Sequence, residues 1–244
     1  MQGTEPIYQE DLAYIHARAF GALARGAAPE IVRLLQAAAI PIRSVVDVGC
    51  GAGVLTAALI DAGFEATGID SSAELLAIAR AHVPQAHFVN TSVYDAALPS
   101  CQAIVALGEP LTYHADLVDA ERRVRSLFQR ASGILQAGGI LIFDVIELGA
   151  PSLAGRSWQS GEDWAVMVET TEDREARTLV RKIETFRRVD DLYRRGREIH
   201  TVRLFDAENL RNQLAACGFA VETAPAYGTY RLPARRLAFF CTRR

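Results

Sequence analysis

The chain has 244 residues, half of them apolar, enough to bury one sizeable core but short for two independent domains. Its formal net charge of -3 supplies no global positive field, which argues against a general binder of nucleic acid or of an anionic membrane surface. Cys50, Cys101, Cys217 and Cys241 stand far apart with no C-x-x-C pair, so neither a zinc cage nor a disulfide framework is indicated and no metal is expected.

The elements follow in chain order. The opening "MQGTEPIYQEDLAYIH" is too polar for a secretory signal, and no later run of about 18 apolar residues appears, so a soluble cytoplasmic protein is expected. Gln9 to Ala24 is predicted as one amphipathic helix, with Leu12, Ile15, Ala19, Phe20 and Leu23 on one face and Gly26 as its stop. Pro29 suits the first turn of a second helix, whose Ile31, Leu34 and Leu35 form a stripe before Pro41. Strands are then predicted at Ser44–Val48, Glu65–Ile69, His87–Asn90, Ala103–Leu107 and Gly139–Val145, with helices between them, a pattern that favours a parallel sheet covered on both faces.

From Glu162 the stretches "WAVMVETT", "TLVRKIETFRRV" and "LYRRGREIHTVRLF" are β-rich and joined by charged turns, which predicts an antiparallel insertion of three strands. A helix capped by Asp206 and closed by Gly218 follows, and "RLAFFCTRR" supplies a last strand. Without repeats or linkers the chain reads as one domain: a helical lid over 1–28, a core over 29–150, an antiparallel β cap over 151–205, and a C-terminal helix and strands over 206–244 that complete the sheet.

The stretch "VVDVGCGAGVLTAAL" breaks from strand to helix across three alternating glycines. A dinucleotide fingerprint starting at Gly49 needs glycine where Val54 stands, which weakens a Rossmann oxidoreductase reading. Glycine allows sharp turning and close approach of backbone to a ligand, and Asp47 offers a carboxylate to a cationic amino group. About 20 residues on, Asp70 ends the next strand, where an acid commonly binds ribose hydroxyls. Ser71 and Glu74 read as a capping box behind it.

With "GIDSS", "NTSVYDAALP", "IVALGEPLTY" and "LQAGGILIFDV" in this order after "DVGCGAG", the sequence resembles the class I S-adenosylmethionine-dependent methyltransferases of the small-molecule type over roughly residues 40 to 146. The resemblance implies an α/β fold with a Rossmann-like, mostly parallel seven-stranded sheet whose last strand is antiparallel. It also implies S-adenosylmethionine as cofactor, with Asp47, Gly49, Cys50 and Gly51 at the methionine end and Asp70 and Ser71 at the ribose. Ser92, Val93, Tyr94 and Asp95 would lie at the adenine, the acid of the family matching either Tyr94 or Asp95, with Leu107 and Glu109 near the sulfonium.

No N-P-P-Y or D-P-P-Y tetrapeptide follows the fourth strand, where "LGEPLTYH" stands, so an amino-group target in DNA, RNA or protein amide is disfavoured and a small-molecule acceptor of oxygen, nitrogen or carbon type is expected. Tyr8, Tyr14, His16 and Phe20 of the first helix suit a water-excluding roof, with Tyr14 taken to the cofactor; a plain packed helix explains the same residues. Tyr113, His114, Glu109 and His200 are the candidate catalytic groups, by position after the fourth strand or in the third inserted strand. Pro110 is expected to hold Glu109 extended. The arginines of the insertion suit either a site for an acidic substrate or a solvated face of cross-strand ion pairs. A cofactor-binding protein without turnover is the competing function, and the oligomeric state is not legible.

Overall fold

Runs rich in valine and isoleucine become central strands because branched side chains pack well on pleated faces covered by helices. The computed structural model describes residues 7–113 and 119–244. Its central strands begin with β1 (Ser44–Val48), β2 (Glu65–Asp70), β3 (His87–Asn90), β4 (Ala103–Ala106) and β5 (Ile140–Ile146). Four antiparallel strands follow: β6 (Gly155–Ser160), β7 (Trp164–Asp173), β8 (Thr178–Val189) and β9 (Leu192–Arg203). The chain closes with β10 (Phe219–Ala224), a two-strand hairpin of β11 (Ala226–Tyr227) and β12 (Tyr230–Arg231), and β13 (Arg236–Arg243). The central order is β10-β13-β5-β4-β1-β2-β3, with β13 antiparallel to both neighbours, and the order reverses between β1 and β4.

Alternation along each strand divides the core. Val45, Val105 and Ile142 meet Ile31 and Leu35 of α2 (Ala22–Gln36) and Leu55 and Leu59 of α3 (Val54–Asp61). Their neighbours Val46, Ile104 and Phe143 meet Val124, Leu127 and Phe128 of α5 (Ala120–Ile134) and Leu210 and Leu214 of α6 (Ala207–Ala216). Asp206 caps α6 by accepting from Asn209 N–H at 3.0 Å, and Gly218 follows at φ 85°. α4 (Ala73–His82) packs Leu76 and Ala79 against Phe88.

Several local expectations need correction. The first helix stops five residues early: α1 spans Glu10–Ala19, and the break falls at Phe20 and Gly21, where a Cβ on Gly21 would lie 2.3 Å from the Arg25 guanidinium. Gly26 is no stop; it lies inside α2, where the ring of Tyr230 passes 2.1 Å from the place a Cβ would occupy. Pro29 is also interior, tolerated because Ala27, Ala28, Ile31 and Leu35 bury the helix around it. No helix joins β3 to β4, and the cap has four strands, since β6, exposed along its whole length, lacks the apolar pattern of a half-buried strand.

α1 lies between the two sheets. Ala13 meets Ala52 and Leu75 on the core side, while Leu12 and Ile15 meet Val166 and Ile183 on the cap side. Arg235 ties the cap to the core: its guanidinium donates to Glu172 at the end of β7 and to the carbonyls of Glu147 and Pro151. Among the described residues no helix is long and apolar enough to cross a membrane.

Candidate active site

Gly49, Gly51 and Gly53 all take left-handed backbone, at φ 67°, 53° and 80°, which explains their alternation. At Gly49 space is decisive as well, because a Cβ would fall 2.3 Å from that of Pro110. The turn is held from the neighbouring strand: Gly49 N–H donates to Ile69 carbonyl at 2.7 Å, and Gly51 N–H donates to Asp70 Oδ2 at 2.9 Å. Asp70 Oδ1 accepts from Ser72 N–H at 2.9 Å. Each carboxylate oxygen offers two lone-pair directions, so Asp70 retains acceptor capacity toward the cavity it lines.

That cavity, about 720 Å³, opens at the carboxyl ends of β1 and β4, the switch point at which open α/β sheets bind ligands. Gly49, Cys50, Gly51, Asp70, Ser71, Ser92, Val93, Leu107, Glu109, Tyr113 and His200 of the sequence-derived set line it. Asp47 does not: it is buried under the loop, accepts from Thr56 Oγ1 at 2.6 Å, and burial pushes its pKa up to about 7. It braces the turn from below. Tyr94 turns into the core and donates to Leu111 carbonyl at 2.6 Å, while Asp95 points outward within 4.0 Å of Arg123. Neither lines the cavity; Thr91 does. The helix cap behind Asp70 is Ser72, which accepts from Leu75 N–H at 3.1 Å, and Ser71 faces the cavity instead.

Tyr14 also departs from expectation. Its hydroxyl donates to Asp163 at 2.5 Å, and its ring lies between Arg18 and Arg187, whose guanidinium carbons stand 3.5 and 3.7 Å from the ring centre. The helix turns Tyr14 to the cap and Leu12, His16, Ala17 and Phe20 to the cavity. Asp11 completes the docking through Arg194 Nε at 2.6 Å and Arg187 Nη1 at 3.3 Å. His16 is held neutral because burial, then the neighbouring His200, lowers its pKa to about 4. Its Nδ1 lacks a partner among the described residues.

The far end of the cavity is polar and assembled from distant elements. Glu109 adopts φ 64° and ψ 30°, left-handed rather than extended, because Asp144 accepts both Gly108 N–H at 2.8 Å and Glu109 N–H at 2.9 Å. This geometry turns the Glu109 carboxylate onto Arg181 and Arg236, at 2.7 and 2.8 Å. Tyr113 hydroxyl stands 3.1 Å from that of Tyr8 and accepts from Arg181 at 3.4 Å. Burial raises the pKa of both phenols, so both stay protonated. His200 is 1% exposed and lies edge-on to Tyr8 and Tyr113, its Nε2 2.7 Å from Glu198 Oε2. Glu198 also accepts from the backbone N–H of Tyr8 at 2.7 Å and of Gln9 at 2.9 Å. His114 lies outside the described residues.

Residues 45–139 match the sequence profile of a family described as methyltransferase domain. The ubiquinone biosynthesis O-methyltransferase of Pectobacterium atrosepticum is 25% identical over 160 residues, 64% of each chain, so the match spans just under two thirds of that relative's length. A crystal structure of an S-adenosylmethionine-dependent methyltransferase from Clostridium acetobutylicum superposes with a TM-score of 0.77 at 18% identity, covering 95% of this chain and 97% of the other. The sugar N-methyltransferase KedS8 from Streptoalloteichus gives 0.76 at 23% identity, covering 95% and 92%.

Residues 45–139 thus match a methyltransferase domain, and the whole chain has the fold of S-adenosylmethionine-dependent methyltransferases of known structure. Three residues at or beside this cavity were not singled out by the sequence. Glu198 was visible in principle, since a strand places it on the face of His200 two residues away. Arg181 was one of many arginines in the insertion and Arg236 gave no local signal, because their common partner Glu109 lies 72 residues from the first and far from the second.

Proposed function

We propose that this methyltransferase, a single domain with its N-terminal helix as lid and β6 to β9 as cap, methylates an oxygen or nitrogen of a small molecule enclosed between them. The observation that carries the reading is one cavity shared by the Asp70-held glycine turn and, at its other end, by His200 with its Glu198 partner. The donor set fits the cofactor. Gly51 presents backbone with open space before it, its nearest contact to a built Cβ being His16 Cε1 at 3.7 Å, and Asp70 offers acceptors of the kind two ribose hydroxyls need. Gly49, Cys50 and Gly51 would hold the methionine end, Asp70 and Ser71 the ribose, Ser92 and Val93 the adenine, and Leu107 the region of the sulfur. S-Adenosylmethionine supplies an electrophilic methyl group on its sulfonium.

The chain's own residues then have separable tasks. Glu198 accepts the Nε2 proton of His200, which leaves Nδ1 as the lone-pair nitrogen able to take a proton from the acceptor. Tyr8 and Tyr113 remain protonated and donate hydrogen bonds. Tyr8, Leu12, His16 and Phe20 cover the cavity and exclude water, which strengthens every polar contact within. The enclosure supports a small acceptor over a nucleic acid, and the unpaired cysteines support the cytoplasm as its compartment.

The test is methyl transfer from labelled S-adenosylmethionine to fractionated small metabolites, alongside binding of S-adenosylhomocysteine. Binding together with a labelled small product supports the reading. A folded protein that binds neither nucleotide overturns it, and one that binds both yet labels nothing is a sensor.

A further inference from the structure

The far end of the cavity gathers more guanidinium donors than its described hydrogen-bond partners use. Arg181 from β8 and Arg236 from β13 reach it from different sheets, their side chains 20% and 19% exposed. One carboxylate stands between them, Glu109, and the same Oε1 meets both guanidinium groups. Asp144 is the other nearby acid among the described residues; it attracts Arg236 through space, but Gly108 N–H, Glu109 N–H and Tyr227 hydroxyl all donate to it, the last at 3.1 Å, so its acceptor sites are taken by the fold. The neighbouring phenols of Tyr8 and Tyr113 are neutral. Among the described residues, two guanidinium groups with five N–H donors each therefore share one carboxylate oxygen and one phenol.

A sulfonium cofactor adds another positive charge to this enclosed volume, where like charges repel far more than in water. An anion seated on the two arginines removes that repulsion and forms the charge-assisted, forked hydrogen bonds that guanidinium favours. A second observation points to the same ligand. Glu109 Oε2 is buried and unpartnered among the described residues, an acceptor left for a hydroxyl or amine lying beside the anion. Cap register supplies the direction: Thr170, Arg181 and His200 stand side by side across β7, β8 and β9. A ligand held by Arg181 thus lies next to His200.

Resting on the proposed reading of this cavity, we infer that the methyl acceptor is an acid whose carboxylate or phosphate binds Arg181 and Arg236, with its nucleophilic group turned toward His200. The experiment titrates benzoate, phenyl phosphate and neutral benzamide into the full chain saturated with S-adenosylhomocysteine. One of the two anions is expected to bind at least about tenfold more tightly than benzamide, the tighter one identifying carboxylate or phosphate, and to weaken as salt rises. Arg181→Met and Arg236→Met are expected to abolish that preference with S-adenosylhomocysteine affinity preserved. Arg181→Lys, which keeps the charge and Glu109 paired, is expected to retain part of it. Equal binding of benzamide and the anions overturns the inference, as does a preference that survives both methionine variants, or absence of anion binding in a protein that binds S-adenosylhomocysteine. Failure to bind S-adenosylhomocysteine itself overturns the cofactor reading instead, and this inference with it.

Discussion

The central sheet is buried on both faces, and its strands run through Val, Ile, Leu and Phe with little alternation; the cap sheet is covered on one face only, and burial alternates along stretches of its strands such as Arg197–Val202 of β9. In the cap, Ser157, Val168, Ile183 and Glu198 form one inward row across four strands, and Trp158, Met167, Glu184 and Arg197 form the adjacent outward row. The solvated face holds ion pairs such as Arg156 with Glu169 and Arg197 with Glu184, as one reading of the arginine-rich insertion expected, while Arg181 on the opposite face lines the cavity. A sheet buried on both sides resists change nearly everywhere, whereas a sheet wet on one side concentrates its consequences at every second residue.

The comparison is sharpened first at His200. His200→Ala is expected to lower kcat by about 10² to 10⁴, or roughly 3 to 5 kcal/mol of barrier, with cofactor affinity retained, while exposed Ile199→Ala leaves kcat unchanged. An active His200→Ala enzyme breaks the assignment of inward residues to chemistry. In the central sheet, Phe143 is fully buried and stacks on Phe239 at 4.8 Å, so Phe143→Ala is expected to cost about 3 to 5 kcal/mol in denaturant unfolding.

Asp47 gives the central sheet a pH dependence. Its folded pKa, about 7, lies above the ordinary 3.8, so the unfolded chain loses the proton first. The stability it contributes is whole below about pH 4 and is lost as pH rises through about 7, to an upper bound of roughly 4 kcal/mol. Asp47→Asn is expected to flatten that decline in unfolding curves taken from pH 4 to 8; an identical decline in the variant removes the assignment. Asp70→Ala is expected to weaken S-adenosylhomocysteine by about 30- to 150-fold, roughly 2 to 3 kcal/mol, and unchanged affinity in a folded variant sinks the ribose role. The smallest effect belongs to the outward cap row: Trp158, 73% exposed, is expected to tolerate Trp158→Ala within about 0.5 kcal/mol. A larger loss would mean that this face has a covering.

What was legible in the sequence follows the same division. The glycine turn, Asp70 and the strands around them are local statements, carried by φ-sensitive glycines and apolar runs whose meaning does not depend on distant residues. Asp47 and Tyr14 had the right residue type in the right segment but the wrong direction, because Thr56 claims one and Asp163 the other. Ser71 and Ser72 are both adequate caps, and only the course of the chain into α4 chose between them. The Glu109 conformation was set against the usual preference before proline by Asp144, 35 residues away. The helix break at Gly21 was masked by Gly26, a stronger stop signal that serves instead to admit Tyr230.

Glu198 holds the start of α1 by two backbone N–H groups and the imidazole of His200 by a third bond. If α1 is the proposed lid, its withdrawal exchanges two fixed donors of the carboxylate for water, and the ring that carboxylate orients loses its firm anchor. On that reading exchange and chemistry would be separated in time: a protein open enough to release its product would have no aligned base with which to begin another cycle.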